Sequence, residues 1–375
     1  MLGRVQTRQV RLAFVLALVL AGSALAGPVD AASVGRRDLR PWLNLAGSLF
    51  SQFPVLGEAL QSVVGPTSVS YGSDGRLTVL VLGSDYRGPN SGERTDAVMV
   101  ATINPTTHQM AAVSIPRDTG ALPLPDPNDT YKGKVNSLYS HYRRTGATRE
   151  QALDMVRATI AYVLDVEIDY VVYARFSGFD FLVDQVGYVA VDIPAAIHDS
   201  SIVDDKTKPH GALFPVATDY QLGGASATKC YTNGPPVNWS TALECHRALL
   251  YVRSRHGKVG TENNSNYKRD KRQQSFLMAA LARVVELTTA DSTALTTLRD
   301  AALTRTTDFY TTLPIADDSD LLALYLLYNG AQDQPFLQAD LKPKAYAKLV
   351  PGTSKYALKL DAVRALTHVW FAPVN

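Results

Sequence analysis

Between positions 77 and 118 three apolar runs of strand length each begin or end beside charged residues. Residues 77–82 lead into Gly83-Ser84-Asp85, residues 97–103 follow Arg94-Thr95-Asp96, and residues 110–115 lead into Pro116-Arg117-Asp118. The first run is apolar on both alternating faces apart from Thr78, the composition of a central strand covered on both sides. Asn104-Pro105-Thr106-Thr107 is turn chemistry, so the third run folds back antiparallel to the second. The end of the first strand, the start of the second and the end of the third then share one sheet edge. Asp85, Arg94, Asp96 and Arg117 converge there. Two carboxylates beside two guanidiniums can hold a divalent cation and a phosphate. They can equally form two surface ion pairs, and these residues alone leave both readings open.

The remaining chain decides what surrounds that edge. Its 375 residues suffice for one large domain or two average ones, and a net charge of +2 provides no broad basic surface. Nucleic acid is not an expected partner, and any anion site must be built locally. Arg4, Arg8 and Arg11 precede an apolar run over 12–27 that ends near Ala24-Leu25-Ala26, with no acidic residue before Asp30. This is the pattern of a secretory signal peptide, or of an uncleaved anchor with its N-terminus inside. Either places the rest of the chain outside the cytoplasm, membrane-anchored or secreted. The two cysteines, Cys230 and Cys245, both fall in the exported part, where an oxidising compartment permits a disulfide. It would close a loop of about 15 residues, worth about 3 kcal/mol by chain entropy. Two cysteines without paired histidines do not make a zinc site.

The expected division is a signal segment at 1–27, a linker and membrane-proximal segment at 28–76, and one folded unit at 77–375. Trp42, Leu43, Ala46, Leu49, Phe50 and Phe53 form an apolar pattern that either lies on a membrane surface or packs on the domain. A Pro-rich loop over 122–128 leads to Lys134-Val135-Asn136. A capping box, Thr148 with Gln151, opens a helix to Leu164 with Ala152, Met155, Val156, Ile160 and Val163 at helical spacing. A strand is expected over 168–176, a helix over 179–186 and a strand over 188–193. Residues 198–241 read as an irregular insertion or lid. A helical or extended run over 244–252 ends in Arg253-Ser254-Arg255-His256. A helix opening at Arg269 then places Arg269, Arg272 and Gln273 on one face. Further helices are expected over 318–329 and 360–369.

Taken in order, G-S-D, R-T-D, I-P-R-D, K-V-N, R-F-S-G-F with V-D, Y-V-R-S-R-H and R-x-x-R-Q-Q resemble the LytR–CpsA–Psr family. The likeness spans about residues 77–285. No one of these motifs is specific, but seven in order are. The resemblance implies an α/β fold, with a central mixed sheet flanked by helices and an apolar tunnel for a polyprenyl chain. It implies an exported, Mg²⁺-dependent (or Mn²⁺-dependent) phosphotransferase working at the membrane surface, which moves a glycopolymer from a polyprenyl-pyrophosphate carrier onto peptidoglycan. Asp85 and Asp96 match the metal-binding acids. Arg94, Arg117, Arg253, Arg255 and Arg269 match pyrophosphate-binding positions, with Gln273 beside them and Lys134 as a further point charge. Arg94, Asp96 and Arg117 are the expected catalytic set. Guanidinium suits phosphate because its fixed fork donates two parallel hydrogen bonds and stays charged.

Two departures stand out: Asn266 occupies a position where the family commonly has an acid, leaving Asp118 as a possible substitute, and Gly187-Tyr188-Val189 replaces Gly-Gly-Val. The apolar side chains of Met155, Val156, Ile160, Val163, Leu182, Phe276, Leu277 and Leu281 would line either a solid core or the tunnel. The metal- and phosphate-binding residues would also serve a polyprenyl-pyrophosphate hydrolase, with water as acceptor. A non-catalytic envelope protein that binds lipid phosphate or wall polymer is the third reading.

Overall fold

The computed structural model describes residues 68–86, 92–126, 128–199, 201, 212–224, 247–290, 294–316, 320, 323, 324, 327, 331 and 336–374. The export segment, the 41–64 pattern and both cysteines lie outside these residues, as does most of the helix expected over 318–329.

The three runs of the opening stretch form β1 (Leu77–Ser84), β2 (Thr95–Ile103) and β3 (Met110–Ser114). β1 and β2 are antiparallel, with Leu77 opposite Ile103 and Leu82 opposite Val98, and β2 and β3 are antiparallel through Val100 and Val113. A hairpin follows, β4 (Gly120–Pro123) with β5 (Thr130–Lys134), and then α1 (Leu138–Arg144) and α2 (Arg149–Leu164). β6 (Tyr170–Arg175) returns parallel to β1, placing Arg175 beside Ser84. The crossover carries α1 and α2 over one face, as a parallel connection requires. α3 (Phe176–Gln185) leads to β7 (Val189–Ile193), β8 (Ile197–Asp199), β9 (Ala212–Phe214) and β10 (Ala217–Leu222). α4 (Arg247–Arg253), β11 (Lys258–Val259), β12 (Glu262–Asn263), α5 (Asn266–Ala290) and α6 (Ala294–Thr304) follow. β13 (Phe309–Thr311) and β14 (Leu337–Asp340) complete the main sheet, whose order is β13-β6-β1-β2-β3-β14. The hairpin β15 (Ala347–Leu349) with β16 (Tyr356–Leu358) and helix α7 (Leu360–Trp370) close the chain.

β1 occupies an interior position of this mixed sheet, and its alternation explains the two-sided apolar pattern. Leu77, Val79 and Val81 face a core with Leu182, Val183, Phe276, Ala280 and Val284. Leu80 and Leu82 face the opposite core with Leu138, Val156, Ile160 and Val163. All nine helical side chains named beside β1 are buried, and each fully buried Leu or Val contributes about 1.5–3 kcal/mol. This is the expected sheet between helical layers.

Four expectations are corrected. Met155 is exposed, because it sits off the buried stripe that Ala152, Val156, Ile160 and Val163 make along α2. The segment after Asp118 is not loop alone: Leu122 pairs with Tyr131 in β4–β5, so an exposed Pro-rich turn hid a hairpin. α3 starts at Phe176, three residues early, directly from the end of β6. The described parts of the supposed irregular lid are strands, with β10 pairing β7 and β9 pairing β8. Among the described residues no helix is long and apolar enough to cross a membrane. The side chains of Leu277 and Leu281 are not among those described.

Candidate functional site

The antiparallel β1–β2–β3 register brings the predicted edge together. The Asp85 amide donates to the Arg94 carbonyl at 2.8 Å, closing the loop between β1 and β2 at its base. Asp96, the second residue of β2, accepts an ion-paired hydrogen bond from Arg117 Nη1 at Oδ2 and one from Asn136 Nδ2 at Oδ1, the latter at 2.8 Å. Asn136 is buried on a 3-10 turn, Val135–Ser137, that leaves β5 and packs under β2. Asp118 pairs with Lys134 Nζ at 2.6 Å and lies 4.0 Å from Arg117 Nε. Two carboxylates, a guanidinium, an ammonium and an amide thus interlock at one edge. Arg94 is exposed beside them.

The second arginine group approaches from α4 and α5. Burial lowers the Arg255 pKa from its ordinary value, the positive charges of Arg117 and Arg269 add to the effect, and Asp96 and Asp118 oppose it. Those interactions place Arg255 within electrostatic reach of the Asp96–Arg117 edge, about 140 positions earlier in the chain. Arg269 is 7 % exposed on the first turns of α5. The Arg253 guanidinium lies 4.7 Å over the Phe176 ring, where a cation–π contact orients it. Gln273 takes another place: its Nε2 donates to the Val252 carbonyl at 2.8 Å, and the residue is buried. Asn266 opens α5, and its Oδ1 is shut away from solvent without a hydrogen-bond donor.

Glu93 and Arg175 were given no role from the sequence, although Arg175 opens the R-F-S-G-F motif. Arg175 Nε and Nη2 donate to the two Glu93 oxygens at 2.8 and 3.1 Å, Ser84 Oγ and Tyr173 OH add donors, and Ser140 Oγ donates to the Glu93 carbonyl. Burial pushes the Glu93 carboxyl up, but the hydrogen bonds from Arg175, Tyr173 and Ser84 outweigh it and leave the pKa lowered. Arg175 also lies 3.8 Å over the Tyr86 ring. This knot ties the end of β6 to both ends of the loop between β1 and β2, and so fixes where Asp85 and Arg94 emerge. The usable signal was position: Arg175 closes a strand parallel to β1, and Glu93 directly precedes the R-T-D motif.

At Tyr188 the departure from Gly-Gly-Val is local. Gly187, at φ +78°, ends α3 in the left-handed conformation that glycine tolerates. The Tyr188 ring then receives the Arg283 guanidinium at 4.1 Å.

The model of the LytR_cpsA_psr family matches residues 58–363, a span that holds the whole main sheet and every residue of the site. The chain belongs to the LytR_cpsA_psr family. Among its relatives, polyisoprenyl-teichoic acid–peptidoglycan teichoic acid transferase TagU of Bacillus cereus (strain AH820) is 38% identical over 115 residues, 31% of this chain and 34% of that protein. TagV of Bacillus subtilis (strain 168) is 29% identical over 133 residues, 35% and 32%. The chain thus spans about a third of the length of the curated relatives it matches. Two solved structures share the fold. B. subtilis TagV has a TM-score of 0.54 at 21% identity, covering 81% of this chain and 100% of that one. TagT bound to LIIa-WTA has a TM-score of 0.51 at 19% identity, covering 82% and 95%.

Proposed function

We propose that this LytR_cpsA_psr protein is an exported phosphotransferase that moves a glycopolymer from a polyprenyl-pyrophosphate carrier to peptidoglycan. The observation that carries the reading is the convergence of Arg117, Arg255 and Arg269 around Asp96 and Asp118. Partly buried like charges repel, and an anion among them relieves that repulsion. A pyrophosphate supplies the charge, and guanidinium forks fit its oxygens. The teichoic acid transferases among the relatives support the donor and acceptor classes.

The reaction joins an acceptor hydroxyl of a peptidoglycan sugar to the polymer-bearing phosphorus. The phosphorus–bridging-oxygen bond of the pyrophosphate breaks, polyprenyl phosphate leaves with that electron pair, and the hydroxyl proton is released. Such a transfer needs positioning and charge neutralisation rather than a protein nucleophile. Arg94, Arg117, Arg253, Arg255 and Arg269 hold the two phosphates, and Lys134 with Asp118 borders them. Asn136 and Arg117 orient the Asp96 carboxylate, and the Glu93–Arg175 knot holds Asp85 and Arg94 in place. An amide at 266 cannot accept the hydroxyl proton, so Asp118 is the carboxylate assigned to it.

Asp85 and Asp96 fit Mg²⁺, which usually takes one or two protein carboxylates and completes its shell with substrate phosphate oxygens and water. Each Asp96 oxygen accepts one hydrogen bond and retains a lone pair. When bound, the ion would neutralise charge that develops on the phosphoryl oxygens. Val156, Ile160, Val163, Leu182 and Phe276 are packed in the two cores beside β1 rather than lining an open channel, and the segment over 1–27 directs the protein to the envelope.

Incubating the purified protein with a polyprenyl-pyrophosphoryl oligosaccharide, with and without peptidoglycan, tests the proposal. Polymer attached to peptidoglycan together with released polyprenyl phosphate is expected. Release at the same rate without acceptor would identify a hydrolase, and donor binding without turnover in Mg²⁺ would identify a binding protein.

A further inference from the structure

The Arg253-Ser254-Arg255-His256 segment starts at the last residue of α4, where a helix leaves carbonyls without intrahelical donors. Here those carbonyls are taken by two buried residues of α5. Arg272 Nε donates to Tyr251 O at 3.1 Å and its Nη2 to Ser254 O, while Gln273 Nε2 donates to Val252 O. Donors of the same segment point the other way, and one carboxylate collects them. Asp199 Oδ2 accepts from Ser254 Oγ at 2.9 Å, the Arg255 amide at 3.0 Å and the His256 amide at 2.9 Å. Its Oδ1 accepts from the Ser201 amide at 3.1 Å and Ser201 Oγ at 2.7 Å. Asp199 is 1 % exposed at the end of β8.

We propose that Asp199 is a positioning residue, which with Arg272 and Gln273 clamps segment 253–256 and sets Arg255 among Arg117, Arg269 and Asp96 before substrate arrives. The inference rests on the pyrophosphate reading of the site and adds a part to it. No atom of Asp199 needs to meet substrate, because it acts through the backbone that carries Arg255. A buried carboxylate with five donors is costly to displace, since removing it strands three backbone amides and two hydroxyls. Burial raises the Asp199 pKa, while donors from Ser201, His256, Ser254 and Arg255 bring it down to about 2, so the clamp stays ionised at physiological pH. Chain geometry agrees. Gly257 has φ +69°, and a Cβ there would lie 2.0 Å from the His198 carbonyl, so the segment leaves the clamp pressed against β8. Gln273 thereby acquires a role distinct from phosphate contact. An arginine held in advance loses less conformational freedom on binding, which favours affinity.

The test compares wild type, Asp199→Asn, Arg255→Ala and the double variant in binding inorganic pyrophosphate with Mg²⁺, alongside thermal melts and amide exchange. Asp199→Asn is expected to melt cooperatively, to exchange the Arg255 and His256 amides faster, and to bind pyrophosphate about tenfold more weakly. In the double variant the losses should not add, because both act through Arg255. Wild-type affinity in a folded Asp199→Asn, or fully additive losses, would overturn the clamp. Should Asp199→Asn not fold, Ser254→Ala decides, since it removes one donor to the same carboxylate. A two- to fivefold weaker affinity supports the clamp, and wild-type affinity refutes it. If wild type itself binds no pyrophosphate, the reading of the site fails, and the clamp as a device for substrate fails with it. Unchanged amide exchange would indict the clamp alone.

Discussion

At the scale of residues the site is a set of mutually oriented charges, and its pH response follows from them. The lowered pKa of Glu93 means that ionised Glu93 stabilises the fold. That contribution is fully present above the unfolded value of 4.5 and is lost as pH falls through the lower folded value. Glu93→Gln should therefore cost roughly 2 kcal/mol near neutrality, as for a buried charge-assisted hydrogen-bond partner. Its deficit against wild type should shrink as pH falls below 4.5, measured by urea unfolding across pH. An equal deficit at every pH would contradict the assignment. Asp96→Asn should abolish transfer while leaving the melt nearly unchanged, as an assay of polymer attachment paired with a melt would show. Asp85, Arg94, Asp96 and Arg117 were legible as one edge because strand alternation and a single turn fix their relation. Arg255 and Arg269 needed the ordered motifs, since no local pattern carries them across more than a hundred residues. Glu93 and Asn136 were not assigned roles because their partners come from other elements: Arg175 and Tyr173 for one, Asp96 for the other.

At the scale of elements, local chemistry was clearest where the signal lay within one turn. The capping box of α2 is present as read: the Gln151 amide donates to Thr148 Oγ1 at 3.2 Å, and the Thr148 amide to Gln151 Oε1 at 2.9 Å. Thr148→Ala should cost about 1 kcal/mol and lower the melting midpoint by about 2 °C, seen by calorimetry, without changing turnover. α3 was misplaced because its first turn, Phe176-Ser177-Gly178, looks like a strand end followed by a breaker. Gly178 is there for packing: an added Cβ would lie 2.6 Å from the Phe309 ring of β13. Gly178→Ala should therefore destabilise by about 1–3 kcal/mol through overpacking, despite the better helix propensity of alanine. A stabilised variant in denaturant unfolding would contradict that packing account. The hairpin β4–β5 was hidden because four- and five-residue strands between polar turns offer too little alternation to register.

At the scale of the whole molecule, one sheet with a core on each face carries both arginine groups to a common edge. The first group belongs to the sheet itself. The second is delivered by α4 and α5 across a segment held by buried hydrogen bonds, so the site forms only when the helical layer docks. That long-range dependence explains why the charged sheet edge followed from alternation whereas the fold class and the complete site required the family resemblance. The reading turns on whether the converged arginines act on a transferred phosphoryl group. The most direct measurement follows labelled polymer from a polyprenyl-pyrophosphate donor onto peptidoglycan in Mg²⁺, using wild type and Arg117→Ala matched for cooperative melting. The expected result is attachment by wild type and at least about a hundredfold slower attachment by the variant, the loss typical of removing one group that stabilises developing charge. Equal attachment by both proteins would contradict the account.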